Sequence, residues 1–411
     1  MLKKIKLSDL RIGKKLGNGV FGEVFESKVV GSDGIYATKK LDKSKYMKNP
    51  KAYRYLENEI NILKSIKHEN IIKLYNSDLE DRKFKYLITE YCNGGDLGNI
   101  LEHYMKEKNR PFSEEEVQYI MRQLVSGIKY LHSKIEKKWE IIHRDLKLEN
   151  ILLHFDNEDD RINKRILKAK IKIIDFGFAR YLKDELARSV LGSAMFMDPK
   201  ILFKLNKMDF TNDFGYDTKV DIYSLGIICF YLLTGHSLFD VQTMEDLVDK
   251  TKKGKIKISV DLSKETISFL NYMLRYDPKK RLNINQLSMH KFITNNVKDF
   301  TRIDRSKLEK DNLEGSHLVI DLNTSFIGYL NKSMIEEKEE PDEFQKEIIR
   351  KLNEAEAKAK KKKKDIEVIN EPISDIEKLI WESFNIINGD AIVVEPKVIP
   401  FIPGNSKQIL L

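Results

Sequence analysis

Two strings constrain this chain more than anything else in it: IIHRDLKLENILL, residues 141–153, and IKIIDFGFAR, residues 171–180. Each joins a polar turn to a short apolar, strand-like run. In the spacing H-R-D-x-x-x-x-N, Asp145 can accept the proton of an attacking hydroxyl, and Asn150 can place its side-chain oxygen on a magnesium ion. Lys147, two residues after the base, can neutralise a transferring phosphoryl group, and Asp175 in D-F-G supplies a metal carboxylate. Either string alone could arise by chance. The information lies in an ordered set that begins far upstream.

That set opens at LGNGVFGEV, which puts Gly17, Gly19 and Gly22 at G-x-G-x-x-G spacing. Glycines let a backbone approach a polyphosphate closely, with main-chain N–H groups toward its oxygens. A dinucleotide fold would need the third glycine to open a helix. Here EVFES continues as strand, so the stretch from Leu16 through Asn18, Val20, Phe21 and Glu23 to Val24 predicts a β-hairpin lid. In ATKKL, Ala37 and Lys39 share one strand face, and a small residue beside a cation suits a purine with phosphates beyond. Glu59, in NEINILK, offers the anion that would hold Lys39 on the phosphates. Glu57 is the near competitor, and the pattern E-I-x-x-L-K favours Glu59.

The 411 residues exceed the usual single-domain size and predict two lobes with a tail. Up to about Ile88 the pattern is of short strands around one helix, AYRYLENEINILKSI, with Tyr55, Leu56, Ile60 and Leu63 at helical spacing. After NGGDL the chain reads as mainly helical, and Ser113 with Glu116 forms a capping-box start. The longest apolar run, LGIICFYLL, is far shorter than the roughly 20 residues that span a bilayer and reads as a buried helix. The stretch His154 to Lys170 reads as a solvated loop insertion without function. Beyond about Asn296, Phe344, Ile348, Leu352, Ala355 and Ala359 form one helical stripe ending in the run Lys360 to Lys364, and a second amphipathic piece spans Ser374 to Ile387. A net charge of +9 comes without a nucleic-acid motif, and two cysteines, Cys92 and Cys229, form no disulfide framework or metal spacing. These features point to a reducing, cytoplasmic setting.

With these motifs in order, the chain resembles a eukaryotic protein kinase of the serine/threonine type from about Leu10 to Ile293. EYCNGGDL, DFGFARYL and GSAMFM are similar to the Unc-51-like, autophagy-initiating kinases, although Leu148-Glu149 replaces the Pro-Gln common there. The resemblance implies an α+β bilobal fold: an antiparallel β-sheet N-lobe with one main helix (about 10–93), a mainly helical C-lobe (about 94–293), and a tail (294–411). It implies ATP and Mg2+ as cofactors and Ser/Thr hydroxyls of proteins as acceptors. It makes Thr89 the gatekeeper, gives Glu90 and Cys92 backbone contacts to adenine, and sets Asp96 near the ribose. Asp221 would brace the catalytic loop, with Tyr223 where the family usually has Trp. Ser189 and Ser193 would lie on the activation loop, with Ser189 the candidate for a phosphate docking on Arg144. A pseudokinase-like scaffold is the rival reading. The tail is expected to serve a regulatory partner or to fold back on the chain; its Lys run more often solvates a helix end than meets a membrane.

One stretch departs from the family. Where Ala-Pro-Glu is usual, this chain has Asp198-Pro199-Lys200, and the usual Glu pairs with the Arg matching Arg281. Lys200 would then face that Arg, orphaning a buried charge at about 3–5 kcal/mol. Relief would have to come from a substitute acid such as Asp198, from solvent, or from a displaced loop.

Overall fold

The structure is a computed structural model. It describes residues 5–19, 21–133, 140–176, 194–206, 218–259, 261–303, 313–314 and 317–322. All of them belong to one compact unit, Met1–Ile335.

Residues 10–90 build an antiparallel five-stranded sheet in the order β1-β2-β3-β5-β4. Its strands are β1 (Leu10–Gly19), β2 (Gly22–Val29), β3 (Ile35–Asp42), β4 (Leu74–Glu80) and β5 (Phe84–Glu90). On β3 the period-two pattern separates the faces: Tyr36 and Thr38 are buried, while Ala37 and Lys39 share the opposite, half-buried side. Between β3 and β4 lie the short α1 (Lys43–Tyr46) and the longer α2 (Pro50–Ser65). On α2, Leu56, Ile60 and Leu63 are buried, as their spacing predicts, because positions four and three apart stack on one helix face.

The remaining helices gather around one large apolar core. α3 (Leu97–Glu107) and α4 (Glu114–His132) lead into it. At the start of α4 the Ser113 hydroxyl accepts from the Glu116 N–H while the Glu116 carboxylate accepts from the Ser113 N–H, so both expected capping bonds form. A two-stranded ribbon, β6 (Ile151–His154) with β7 (Lys170–Ile173), carries the acidic and amide groups of the two diagnostic strings at its ends. The charged segment between these strands is more ordered than a solvated loop. It contains α5 (Glu158–Ile162), capped by Asn157, buries Phe155 and Ile166, and accepts a hydrogen bond at the Lys164 carbonyl from the Tyr104 hydroxyl (3.0 Å).

Beyond follow α6 (Pro199–Asn206), α7 (Lys219–Thr234), α8 (Met244–Lys253), α9 (Lys264–Leu274) and α10 (Ile284–Ser288). α7 contains the LGIICFYLL run and is buried nearly all round, which accounts for its lack of an amphipathic pattern.

The fold does not stop at residue 293. Phe300 and Leu322 enter the main core. β10 (His317–Asp321) lies between the short β9 (Leu313–Glu314) and β8 (Lys255–Ser259), running antiparallel to β8 from His317 opposite Ser259 to Asp321 opposite Lys255. The Leu322 N–H then reaches the carbonyl of Gly254 (2.8 Å), the left-handed residue (φ 63°) that ends α8. The two amphipathic stretches and the Lys run expected further on lie outside the described residues, as do Val20, Ser189 and Ser193.

Candidate active site

Lys39 comes off β3 beneath the β1–β2 hairpin, and α2 brings Glu59 to it: the ammonium lies 3.6 Å from Glu59 and 3.4 Å from Asp175. Glu57 is directed elsewhere, 3.9 Å from Lys85, so the choice of Glu59 over Glu57 agrees with the geometry. Burial alone would lower the Lys39 pKa, but the two carboxylates outweigh it and hold the ammonium above its ordinary value. Burial pushes Glu59 up to about 7, against the pull of Lys39 and with help from the like charge of Asp175. One Glu59 oxygen has no hydrogen-bond partner among the described residues. The cation therefore bridges two acids, and the more exposed of them, Asp175, faces outward at 42% side-chain exposure.

The hairpin above Lys39 closes with Gly19 opposite Gly22. The three glycines differ in what they do. A Cβ on Gly22 would lie 1.9 Å from the Lys40 carbonyl oxygen, so only glycine fits there. A Cβ on Gly19 would come 3.5 Å from the Lys39 side chain, whereas one on Gly17 would meet nothing. Leu16 is exposed and Val24 and Ala37 are half-buried, which leaves apolar surface for a flat ring. The Phe21 side chain, assigned to the nucleotide from sequence, is instead packed into the N-lobe core at 3% exposure. At the connection between the lobes, the Thr89 hydroxyl donates to the Ala37 carbonyl (3.4 Å). Glu90 pairs through its side chain with Lys172 (2.8 Å), and Cys92 is half-buried, its thiol pushed up to about 12 chiefly by burial. Asp96 caps α3, accepting from the Asn99 N–H at 2.9 Å.

Across the cleft, Asp145 accepts two hydrogen bonds from the Lys147 ammonium (3.0 and 3.3 Å) and one from the Asn150 amide nitrogen (2.9 Å). That nitrogen also donates to the Asp145 carbonyl (2.7 Å). With both its N–H groups committed, Asn150 has its amide oxygen left for a ligand. A carboxylate and an amide oxygen suit magnesium, which keeps waters and substrate phosphates as its other ligands. No group of three or more His, Cys, Asp or Glu capable of holding a metal occurs among the described residues. Asp175 holds the uncommon φ of +58° and Arg144 that of +70°.

Asp221 braces this loop from below and is fully buried. It accepts from the backbone N–H groups of His143 and Arg144 (2.9 Å each) and lies 2.7 Å from the His132 ring nitrogen Nε2. Burial would raise its pKa, but His132, His143 and the Arg144 N–H together hold it below the usual carboxylate value. His143 in turn reaches the Ile174 carbonyl (2.9 Å), tying the Asp145 loop to the segment that leads from β7 to Asp175. Sequence reasoning missed His132 and Lys172, because a lone histidine at a helix end and a lysine on a strand carry no local signal.

The Asp198-Pro199-Lys200 question has a structural answer. Asp198 forms the ion pair with Arg281, and both side chains are fully buried. Arg281 also donates to the carbonyls of Arg275, Lys219 (3.1 Å) and Tyr276 (3.1 Å), and its guanidinium lies 4.8 Å from the centre of the Tyr223 ring. Lys200 does not leave the buried cation orphaned: of the three reliefs considered, the substitute acid Asp198 is the one that forms, two residues N-terminal to the usual Glu. Tyr223, in the position usual for Trp, supplies the aromatic face beneath the cation.

Residues 10–293 match the family model for the protein kinase domain. Among curated proteins, the chain is 31% identical over 298 residues to serine/threonine-protein kinase atg1 of Dictyostelium discoideum, covering 72% of this chain and 40% of that protein. It is 34% identical over 294 residues to serine/threonine-protein kinase 33 of Bos taurus, covering 69% of this chain and 55% of that protein. The chain thus spans about half the length of these relatives.

Proposed function

The chain belongs to the protein kinase family, and on that premise we propose that it is a catalytically active serine/threonine protein kinase using ATP and magnesium. The observation that carries this reading is the assembled cleft: Lys39 between Glu59 and Asp175 on one side, and Asp145 with Lys147 and Asn150 on the other. ATP would lie under the β1–β2 hairpin, with Lys39 on its phosphates and magnesium held by Asn150 and Asp175. Held there, magnesium would supply positive charge against the phosphates. The acceptor hydroxyl loses its proton to Asp145 as its oxygen bonds to the γ-phosphorus. The bond from that phosphorus to the β–γ bridging oxygen breaks, and ADP leaves. Lys147, 3.0 Å from Asp145, would stabilise the transferring group.

The kinase unit is proposed to comprise the matched residues 10–293, with its N-lobe to about residue 93, together with the segment through Leu322 that completes its core. The similarity to serine/threonine-protein kinase atg1 of Dictyostelium discoideum and the EYCNGGDL and GSAMFM motifs favour an Unc-51-like role in intracellular signalling, in the cytoplasm, on protein substrates. No described helix is long and apolar enough to cross a membrane. A scaffold without catalysis would have to fail despite a complete phosphoryl-transfer set. The test is phosphorylation of a Ser/Thr peptide library with magnesium–ATP: the wild type incorporates phosphate and Asp145→Asn loses at least about 100-fold, the scale of a general base. Equal incorporation by both proteins, or none by the wild type, refutes the reading.

A further inference from the structure

Phe21 sits at the tip of the glycine-rich hairpin, yet its side chain is buried with Leu41, Tyr46, Ala52, Leu56, Ile60 and Leu87. Ala52, Leu56 and Ile60 are one stripe of α2, and Glu59 lies beside Ile60 on the same helix. Tyr46, from α1, meets the Phe21 ring edge to face, centroids 6.1 Å apart at 71°, and is itself stacked by Tyr53 at 6.3 Å. The Phe21 carbonyl accepts from the Asp42 N–H (2.8 Å), at the point where β3 turns into α1. Gly22 beside it lies flat on Lys40 and leaves no room for a side chain.

We propose that Phe21 and Tyr46 form an aromatic latch that fastens the glycine-rich hairpin to α1 and α2, so that the hairpin and the helix bearing Glu59 are held as one body before nucleotide binds. Both are positioning residues. A hairpin rich in glycine has much conformational freedom to lose, and a latch that restrains it beforehand spares the nucleotide that ordering. The same contact transmits the position of α2, and hence of the Lys39–Glu59 pair, to the hairpin above the phosphates. Tyr46 touches neither Lys39 nor the catalytic loop through any described contact, so its influence on nucleotide would run through Phe21.

The inference rests on the kinase reading, and the experiment separates the two. Magnesium–ATP binding to the full chain is measured by calorimetry, with KM for ATP and for peptide measured in parallel, on wild type, Tyr46→Phe, Tyr46→Ala, Phe21→Ala and the double alanine variant. Tyr46→Ala is expected to weaken ATP binding about two- to tenfold, the equivalent of one aromatic pair, with the peptide KM unchanged and with Tyr46→Phe behaving as wild type. The double variant should bind no worse than Phe21→Ala, because the latch is already open. A Tyr46→Ala protein that loses thermal stability but keeps wild-type ATP affinity, or additive losses in the double variant, overturns the latch. Failure of the wild type to bind magnesium–ATP overturns the kinase reading instead.

Discussion

Replacing Asp198 by Ala tests the relocated ion pair directly. The Arg281 guanidinium is fully buried, so it cannot turn to water when its carboxylate is removed. Breaking a buried pair from one side costs about 3–5 kcal/mol. The carbonyls of Arg275, Lys219 and Tyr276 and the Tyr223 ring remain around the cation, which places the expected loss near the lower end, about 3 kcal/mol. For a unit of this size that corresponds to a melting temperature lower by roughly 5 °C. Differential scanning fluorimetry of four proteins reads it: wild type, Asp198→Ala, Lys200→Glu and the combination. Lys200→Glu alone should change little, because Arg281 already has its anion. In the Asp198→Ala background the same substitution should recover most of the loss, since it restores a carboxylate at the position the family normally uses. A drop of less than about 1 °C for Asp198→Ala, or a Lys200→Glu gain equal in both backgrounds, would refute the reasoning.

Two further outcomes are expected. A chain ending at residue 303 lacks β10 and Leu322, whose burial alone is worth about 1.5–3 kcal/mol. It should melt several degrees below a chain ending at residue 335, and equal melting would show that the strand adds nothing to the kinase unit. Glu59, raised from an unfolded value near 4.5 to about 7, makes the native state bind its proton more tightly than the unfolded chain does. Its contribution to stability is therefore full below about pH 4.5 and lost as pH rises toward 7 and above. Chemical denaturation from pH 5 to 8 should show that fall, and Glu59→Gln should flatten it; an unchanged slope in the variant assigns the effect elsewhere.

The chemistry was legible in the sequence because it depends on residue type at short fixed spacing. Asp145, Lys147 and Asn150 fall within six positions, and their mutual bonds need only one turn of chain. The Ser113–Glu116 capping box is equally local, three residues apart, and formed as read. The choice of Glu59 over Glu57 followed from the local pattern E-I-x-x-L-K, which spans six adjacent positions of α2.

Other features could not be read, since they depend on which distant residues meet. Asp198 and Arg281 are 83 residues apart, so the sequence could name Asp198 only as one of three reliefs and could not choose among them. His132 serves Asp221 across 89 residues. Phe21 carries the motif of a nucleotide lid, yet its ring is claimed by the N-lobe core, because an aromatic side chain gains more from a dry apolar pocket than from an open cleft. The strand at residues 317–321 shows the same limit: an edge such as β8 offers unpaired N–H and C=O groups, and only the folded C-lobe brings it beside the segment that satisfies them. By itself, then, the sequence determined the candidate reactive groups, their order and the local elements that carry them. The tertiary structure decided which charges are neutralised, which ring is buried and that the fold continues past residue 293, because those choices are settled by burial and pairing between residues far apart in the chain.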